Sequence, residues 1–426
     1  MADEPTEPDP QDADPAPGLR IVAAMSAALF LAALSISIYA SQLPTIIKLW
    51  SLSNTDAGWI GGAYFAGYVV AVPVLTALTD RLDARIVFAV GAGLLALGSL
   101  GFALLAVDAW TAAGAHAIMG FGFAGTYMPG LKGMSDHLPA SQLSRAAGIY
   151  SGSFILATAL SFPLGAWVGQ VLGWWAPFIV CCLSALLAPI LVIAALPRRT
   201  RRVPAAVSSR WLLDFRPVLS NRAAVAYSWC YGLHCWELFA IRTWMVAFLS
   251  FSLSRGSEGD IASAEVPWAA PANIAAAAMI LGFVANLLGN ELAMRIGRMR
   301  AISRVMVVSA CVCLAVPKLG EISYSLAAIA CLVHGMALLG ESTACTAGAL
   351  GNAPEDLRGA TMALHSTIGF SGAFLGPLAF GLLLDAAGGQ SQLGWTIAYA
   401  HLAAVILLGP LVLRLLGAGS IAGDET

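Results

Sequence analysis

Charge is scarce in this chain: 24 acidic and 22 basic residues make up only 11% of its 426 positions. Soluble domains run near a quarter charged, so the composition is that of an integral membrane protein. The ten-residue alternating segments of a membrane β-barrel are missing, and continuous apolar runs stand in their place. No phosphate-binding loop occurs, which argues against ATP drive. Metal-ligand spacing is also missing, because Cys181-Cys182 and Cys311-x-Cys313 match no such pattern. All eight cysteines (Cys181, Cys182, Cys230, Cys235, Cys311, Cys313, Cys331, Cys345) fall within apolar runs and read as small packing residues rather than a disulfide framework. No cofactor, metal or nucleic-acid partner is expected, and no enzymatic activity. The start of the chain lacks the basic residues of a cleavable signal peptide, so the first apolar run reads as a retained span.

What is present is apolar length: 59% of residues are hydrophobic. At about 20 residues per membrane-spanning helix, the chain has room for about twelve spans. We expect them near 20–42, 56–79, 85–107, 109–131, 145–168, 174–196, 223–252, 271–293, 301–317, 323–348, 359–385 and 394–416. Residues 1–19 form a polar leader, with six acids interleaved with five prolines from Pro5 to Pro17, a composition that cannot form a core. The expected organisation is that tail, a six-helix bundle over 20–196, a basic loop over 197–222, a second bundle over 223–417, and a tail over 418–426. With both termini on one face, that face collects 18 of the 22 lysines and arginines, including Arg198, Arg199, Arg201, Arg202, Arg210, Arg216 and Arg222 in the central loop. Positive charge marks the cytoplasmic side, so both termini are expected there.

A short basic signature occurs twice, 214 residues apart. The copies are Thr79-Asp80-Arg81-Leu82-Asp83-Ala84-Arg85 and Met294-Arg295-Ile296-Gly297-Arg298-Met299-Arg300. Arg145 and Arg358 open equivalent spans at an offset of 213, and Pro163 and Pro377 lie within them at 214. Such a repeat implies two six-helix halves related by duplication, with a site between them near the midplane. On these residues the chain resembles the major facilitator superfamily of secondary transporters over nearly all of 20–416. The family's Gly-x-x-x-Asp-Arg-x-Gly-Arg-Lys/Arg signature is matched by Thr76-x-x-x-Asp80-Arg81-x-Asp83-Ala84-Arg85, which keeps an acid and two bases but neither glycine. In span 4 the family's Arg-x-x-x-Gly-x-Gly is replaced by His116-Ala-Ile-Met-Gly120-Phe-Gly122. The antiporter Gly-Pro signature reads Ser161-Phe162-Pro163-Leu164-Gly165, without its first glycine. The resemblance implies an all-α fold of twelve transmembrane helices in two pseudo-symmetric halves, with spans 1, 4, 7 and 10 lining a central cavity.

Charges at the bilayer core are costly, so ionisable residues there are candidate functional groups. Eight lie well inside spans: His116, His234, Glu237, Arg242, His334, Glu341, His365 and His401. Six fall on spans 4, 7 and 10. In span 7, Tyr227, Tyr231 and His234 share a helical face that Glu237 extends, while Trp229, Trp236 and Trp244 form a second stripe. We assign the first face to the cavity and the tryptophans to packing, with an aromatic substrate platform as the reverse. Arg242 could bind an anionic substrate or snorkel to the interface. The candidate substrate ligands are His116, Tyr231, His234, Arg242 and His334. A carboxyl in an apolar helix is suited to exchange a proton near neutral pH, which makes Glu341, then Glu237, the proton-coupling candidates; a structural ion pair such as Glu237 with Arg242 is the alternative. Ser35, Ser37, Tyr39 and Gln42 in span 1 could offer hydrogen bonds or simply allow close packing. His365 and His401 lie on spans that do not line the family's cavity and read as packing residues. Asp80, Arg81, Arg85, Arg295 and Arg298 are the candidate gate, able to form ion pairs between halves in one state and break them in the other, or else anchors at the lipid headgroups.

The reading is a monomeric, multi-pass transporter in a bacterial inner membrane, moving a small anionic organic solute with protons across the lipid bilayer. Efflux of an amphipathic metabolite or drug is the first alternative, and a non-transporting membrane sensor or assembly protein the second. The gate is expected to be asymmetric, with Asp80 as its acidic latch because Met294 replaces the acid in the second copy.

Overall fold

The computed structural model describes residues 15–197, 215–256 and 267–417, with the side chains of Asp80 and Arg81 outside that description. The arginines from Arg198 to Arg210 lie outside it as well. Among the described residues there are helices and no strands. Eleven segments are long and apolar enough to cross a membrane. The twelfth span is two helices, Ala109–Ala124 and Tyr127–Ser135, each too short alone. Twelve spans in two halves therefore stand, as composition required.

Span ends follow local chemistry. Ser53 and Asp56 cap the start of span 2 (Asn54–Arg81) reciprocally, and Asp108 does the same with Thr111 at the start of span 4. Asn221, Ser323 and Ser391 accept from backbone N–H groups at the starts of spans 7, 10 and 12. The first helix begins at Pro15, five residues earlier than the polar leader suggests. Proline is tolerated in a first helical turn, whose N–H groups have no intrahelical acceptor.

Three spans are broken near mid-depth. Span 1 is Pro15–Ala33 and Ile38–Trp50, span 4 breaks after Ala124, and span 10 is Tyr324–Leu339 and Ser342–Gly351. Span 7, Arg222–Ser254, is continuous. At two of the breaks a hydroxyl adds a second hydrogen bond to a turn carbonyl: Ser35 Oγ donates to Ala32 O (2.9 Å) and Thr126 Oγ1 to Phe123 O (2.7 Å).

Packing repeats between halves. Spans 2·4, 3·4, 3·6, 1·5 and 1·6 pack in the first half, and their counterparts 8·10, 9·10, 9·12, 7·11 and 7·12 in the second. Across the halves, span 2 packs on span 11 and span 8 on span 5, again as symmetric counterparts, and span 1 touches span 7. Both basic hinges lie at one end of the bundle, called the basic end below.

A candidate solute cavity and its buried ion pairs

Between the halves lies a cavity of about 350 Å³. Tyr231, His234, Leu238 and Arg242 of span 7 line it, climbing about 16 Å away from the basic end at 1.5 Å per residue. Half-exposed Met362 and Ser366 of span 11 and Ser151 of span 5 line its lower part. The cavity thus reaches toward the basic end.

At the opposite end the halves are closed on each other. The Asp385 carboxylate at the end of span 11 accepts from the backbone N–H of Asn54 (3.1 Å) and Thr55 (2.7 Å), from Asn54 Nδ2 (2.8 Å) and from Thr55 Oγ1 (2.6 Å). An anion from one half therefore caps the helix N-terminus of span 2 in the other, where unpaired N–H groups and the helix dipole favour it. Below it, Gly58 and Gly62 lie directly on the backbone of Pro377 and Phe374, contacts that leave no room for a Cβ. Sequence reasoning passed over Asp385, Asn54 and Thr55, because a charge at a span end is cheap and carries no alarm. The run Ser53-Asn54-Thr55-Asp56 was a helix-start signal, but it does not name its partner.

The ionisable residues of spans 7 and 10 pair crosswise, each helix giving one histidine and one carboxylate. His234 Nδ1 donates to Glu341 Oε1 (3.1 Å), and His334 Nε2 to Glu237 Oε1 (2.9 Å). All four side chains are buried. Glu237 Oε1 also accepts from Ser309 Oγ (2.7 Å) and Cys313 Sγ (3.2 Å) of span 9. Each buried ion costs several kcal/mol of desolvation, which pairing and these extra hydrogen bonds offset. Glu341 sits at the break of span 10, where its second oxygen has no partner, as does Nε2 of His234. The Glu237–His334 pair lies behind the cavity wall, so His334 is not placed to touch a solute. Glu237, Cys313 and His334 also have ligating atoms within 4.8 Å of one another, but their hydrogen-bond lengths account for that grouping.

Arg242 neither snorkels nor pairs with Glu237. It is 8% exposed, its guanidinium lies 4.7 Å from the Phe239 ring centre, and Nη2 has Met279 Sδ at 3.8 Å. Nε and Nη1 have no partner. Among the described lining residues Arg242 is the one permanent charge.

His116 is a correction. It lies outside the cavity, caged by Tyr39, Tyr64 and Phe102, with Nδ1 on Ile60 O (2.7 Å). Its Nε2 is buried without a partner. His365 is the converse: expected to pack, it lines the cavity, stacked on Tyr231 at 4.1 Å and 3.2 Å from Thr346 Oγ1. His401 packs, its Nε2 accepting from Trp236 Nε1 (2.9 Å). Trp244 donates to Pro377 O (3.0 Å) and Trp229 is exposed on the outer surface, so neither lines the cavity. In span 1, Gln42 Nε2 donates to Gly165 O and Tyr39 Oη to Ala57 O, both packing contacts.

The described candidate gate residues make contacts within their own halves. Arg85 pairs with Asp83 (2.8 Å) and donates to Leu196 O (3.1 Å). Arg295 pairs with Glu291 (3.0 Å) on one helix surface, and buried Arg298 reaches Asn290 Oδ1 (3.2 Å) and Ala344 O (3.3 Å) in its own half.

Comparison with known proteins follows this geometry. The family model of the Major Facilitator Superfamily matches residues 25–377. An efflux pump, notK, of Aspergillus sp. (strain MF297-2) is 26% identical over 67% of this chain and 52% of its own length. A galacturonate transporter of Dickeya chrysanthemi is 29% identical over 33% of this chain and 41% of its own. The hexuronate transporter of Escherichia coli (strain K12) is 28% identical over 38% of each. The chain thus spans about half or less of these relatives. Among solved structures, a bacterial homologue of the human lysosomal transporter Spinster, inward-facing and occupied, superposes with a TM-score of 0.70 at 16% identity, covering 95% of this chain and 96% of that one. The nucleoside transporter NupG gives 0.69 at 16% identity, covering 95% and 99%.

Proposed function

The chain belongs to the major facilitator superfamily, and from that premise we propose that it carries a small organic anion across a bacterial inner membrane by alternating access, coupled to protons. It is a transporter rather than an enzyme. The observation that carries the anion is Arg242, a buried cation that lines a cavity between the halves and whose Nε and Nη1 have no partner. A buried charge without a partner is expensive, and an anionic solute would supply the partner.

Coupling rests on His234 and Glu341. With Glu341 ionised, its Oε1 holds His234 through Nδ1–H. Protonation of Glu341 takes the charge out of that hydrogen bond and weakens it, which eases the imidazole, part of the cavity lining, toward the solute. Solute and proton then bias the same span 7–span 10 contact, which is the differential interaction a population shift needs. Glu237 and His334, backed by Ser309 and Cys313, keep the two spans in register.

The basic end faces the cytoplasm in this reading, so the structure is the inward-open state and Asp385 latches the outer end. In the alternate state the latch opens and the hinges bearing Asp80, Arg81, Arg85, Arg295 and Arg298 close the inner end. The test is carboxylate-driven flux in proteoliposomes, measured against protein-free vesicles. Wild-type uptake is expected to follow an imposed pH gradient, and Glu341→Gln to abolish that dependence while exchange without a gradient persists. Gradient-driven uptake that survives Glu341→Gln would remove the coupling assignment. The apolar cavity wall favours efflux of an amphipathic compound as the second reading; uptake into inside-out vesicles alone would select it.

A further inference from the structure

Resting on the reading of Arg242 as an anion anchor, we propose that the solute is an amphipathic monocarboxylate with an aromatic or bulky apolar body, not a polyhydroxylated sugar acid. The charge of the site sets the first limit. Among the described lining residues Arg242 is the one permanent charge and none is a carboxylate. One carboxylate on the solute neutralises the site, whereas a second would be stranded in a low-dielectric space without a cation. His234 is not counted as a second anion anchor, because its Nδ1 is held by Glu341 Oε1 at 3.1 Å.

The walls beside the arginine set the second limit. Phe65 and Tyr68 of span 2 face Phe239 of span 7 and Phe370 of span 11 across the boundary between halves. Phe65 and Phe239 ring centres are 4.1 Å apart, Tyr68 and Phe370 4.4 Å, and Phe65 and Phe370 are stacked at 6.4 Å. Arg242 sits on the same Phe239 ring, so the anchor and the aromatic cluster are contiguous. A carboxylate on Arg242 would lay its apolar body among rings drawn from both halves. Aromatic faces reward such a body through offset or edge-to-face contact.

Hydrogen-bonding capacity sets the third. Tyr64 Oη is bonded to Ser35 Oγ (3.0 Å), Thr158 Oγ1 donates to Phe154 O (2.8 Å), and Tyr127 Oη lies 3.4 Å from Ser151 Oγ. The buried lining atoms left without a partner are Arg242 Nε and Nη1, His234 Nε2 and His365 Nδ1. With Asn286, Ser342 and Ser366, further polar side chains of the wall, they serve a carboxylate and a few further polar atoms, a short supply for a hydroxyl on every carbon. A sugar acid would lose its hydration to an apolar wall. The volume of about 350 Å³ lies at the small end of the about 300–1,000 Å³ usual for small-molecule sites, and suits one ring with a short acid arm.

The experiment uses the full chain purified in detergent, with labelled phenylacetate as probe and phenylacetamide, phenylmalonate and galacturonate as competitors. Phenylacetate is expected to bind at least tenfold more tightly than each competitor. Phe239→Ala should weaken phenylacetate at least fivefold. Arg242→Gln should abolish the preference for the acid over the amide, and Arg242→Lys should restore part of it, with melting temperatures checked for each variant. Galacturonate binding as tightly as phenylacetate overturns the solute class and leaves the anion site standing. If wild type binds the amide as well as the acid, or binds no carboxylate in the panel, the anion site and the solute class both fall.

Discussion

Span 4 of the first half and span 10 of the second occupy equivalent places, and both break near mid-depth. At the breaks stand Thr126 and Glu341, 215 residues apart and so in register with the repeat. Thr126 turns its hydroxyl back onto Phe123 O of its own helix. Glu341 instead reaches across to His234 on span 7. The same contrast holds for the halves at large. Among the described residues, His116 is the one histidine, acid or base buried within the first half's spans, with Nδ1 on a carbonyl and its ring among aromatic rings. The second half buries His234, Glu237, Arg242, His334, Glu341 and His365. Duplication can repeat a backbone break without repeating its chemistry. Both halves supply aromatic wall, but among the described lining residues the second half alone supplies charge; in the proposed function proton and anion therefore act on one half while the whole molecule rocks.

The sharpest way to break this comparison is to strip one carboxylate from the second half. Glu237→Ala leaves His334 buried without its partner and removes the acceptor for Ser309 and Cys313, and should cost about 3–5 kcal/mol of stability. Thermal melting in detergent reads it, and a loss below about 1 kcal/mol would mean the pair is not a structural necessity. Next in size is Asp385→Asn, which weakens a charged anchor that belongs to both halves at the closed end. Replacing its charge-assisted hydrogen bonds with neutral ones should shift the balance toward the outward-open state by about 1–3 kcal/mol. Spin-label distances between positions 52 and 387 would lengthen; an unchanged distribution would show that the glycine contacts alone hold that end shut. The smallest effect belongs to the first half. Thr126→Ala and His116→Phe should each cost about 1 kcal/mol or less and leave the pH dependence of flux untouched. A changed pH profile in either would end the division of labour between halves.

Much of the fold was legible because the bilayer enforces it. An apolar run of some 20 residues has few ways to satisfy its backbone in hydrocarbon except as a spanning helix. Span 4 could be placed at 109–131 for that reason, although its break after Ala124 could not. Of the site, the members stood out and the pairings did not. His234, Glu237, Arg242, His334 and Glu341 are conspicuous against apolar surroundings, since charge there is costly wherever the helix points. Which histidine meets which carboxylate depends on the relative rotation and height of spans 7 and 10, about a hundred residues apart. His116 and His365 show the limit clearly. Both are single histidines in apolar runs, yet one turns into its bundle and the other onto the cavity. The hinge arginines show it too, because their partners depend on which end is open.

By itself, then, the sequence determined the number of spans, the repeat, the side that collects positive charge and the small set of groups too costly to be in the membrane without a purpose. These follow from transfer energies and from periodicity along one chain. Tertiary structure alone decided that Glu341 belongs to His234 and Glu237 to His334, that Arg242 is left without a partner in a cavity walled by Phe65, Phe239 and Phe370, and that Asp385 latches span 2. Those are distances between helices remote in sequence, set by how two halves pack, and no local energy along the chain encodes them.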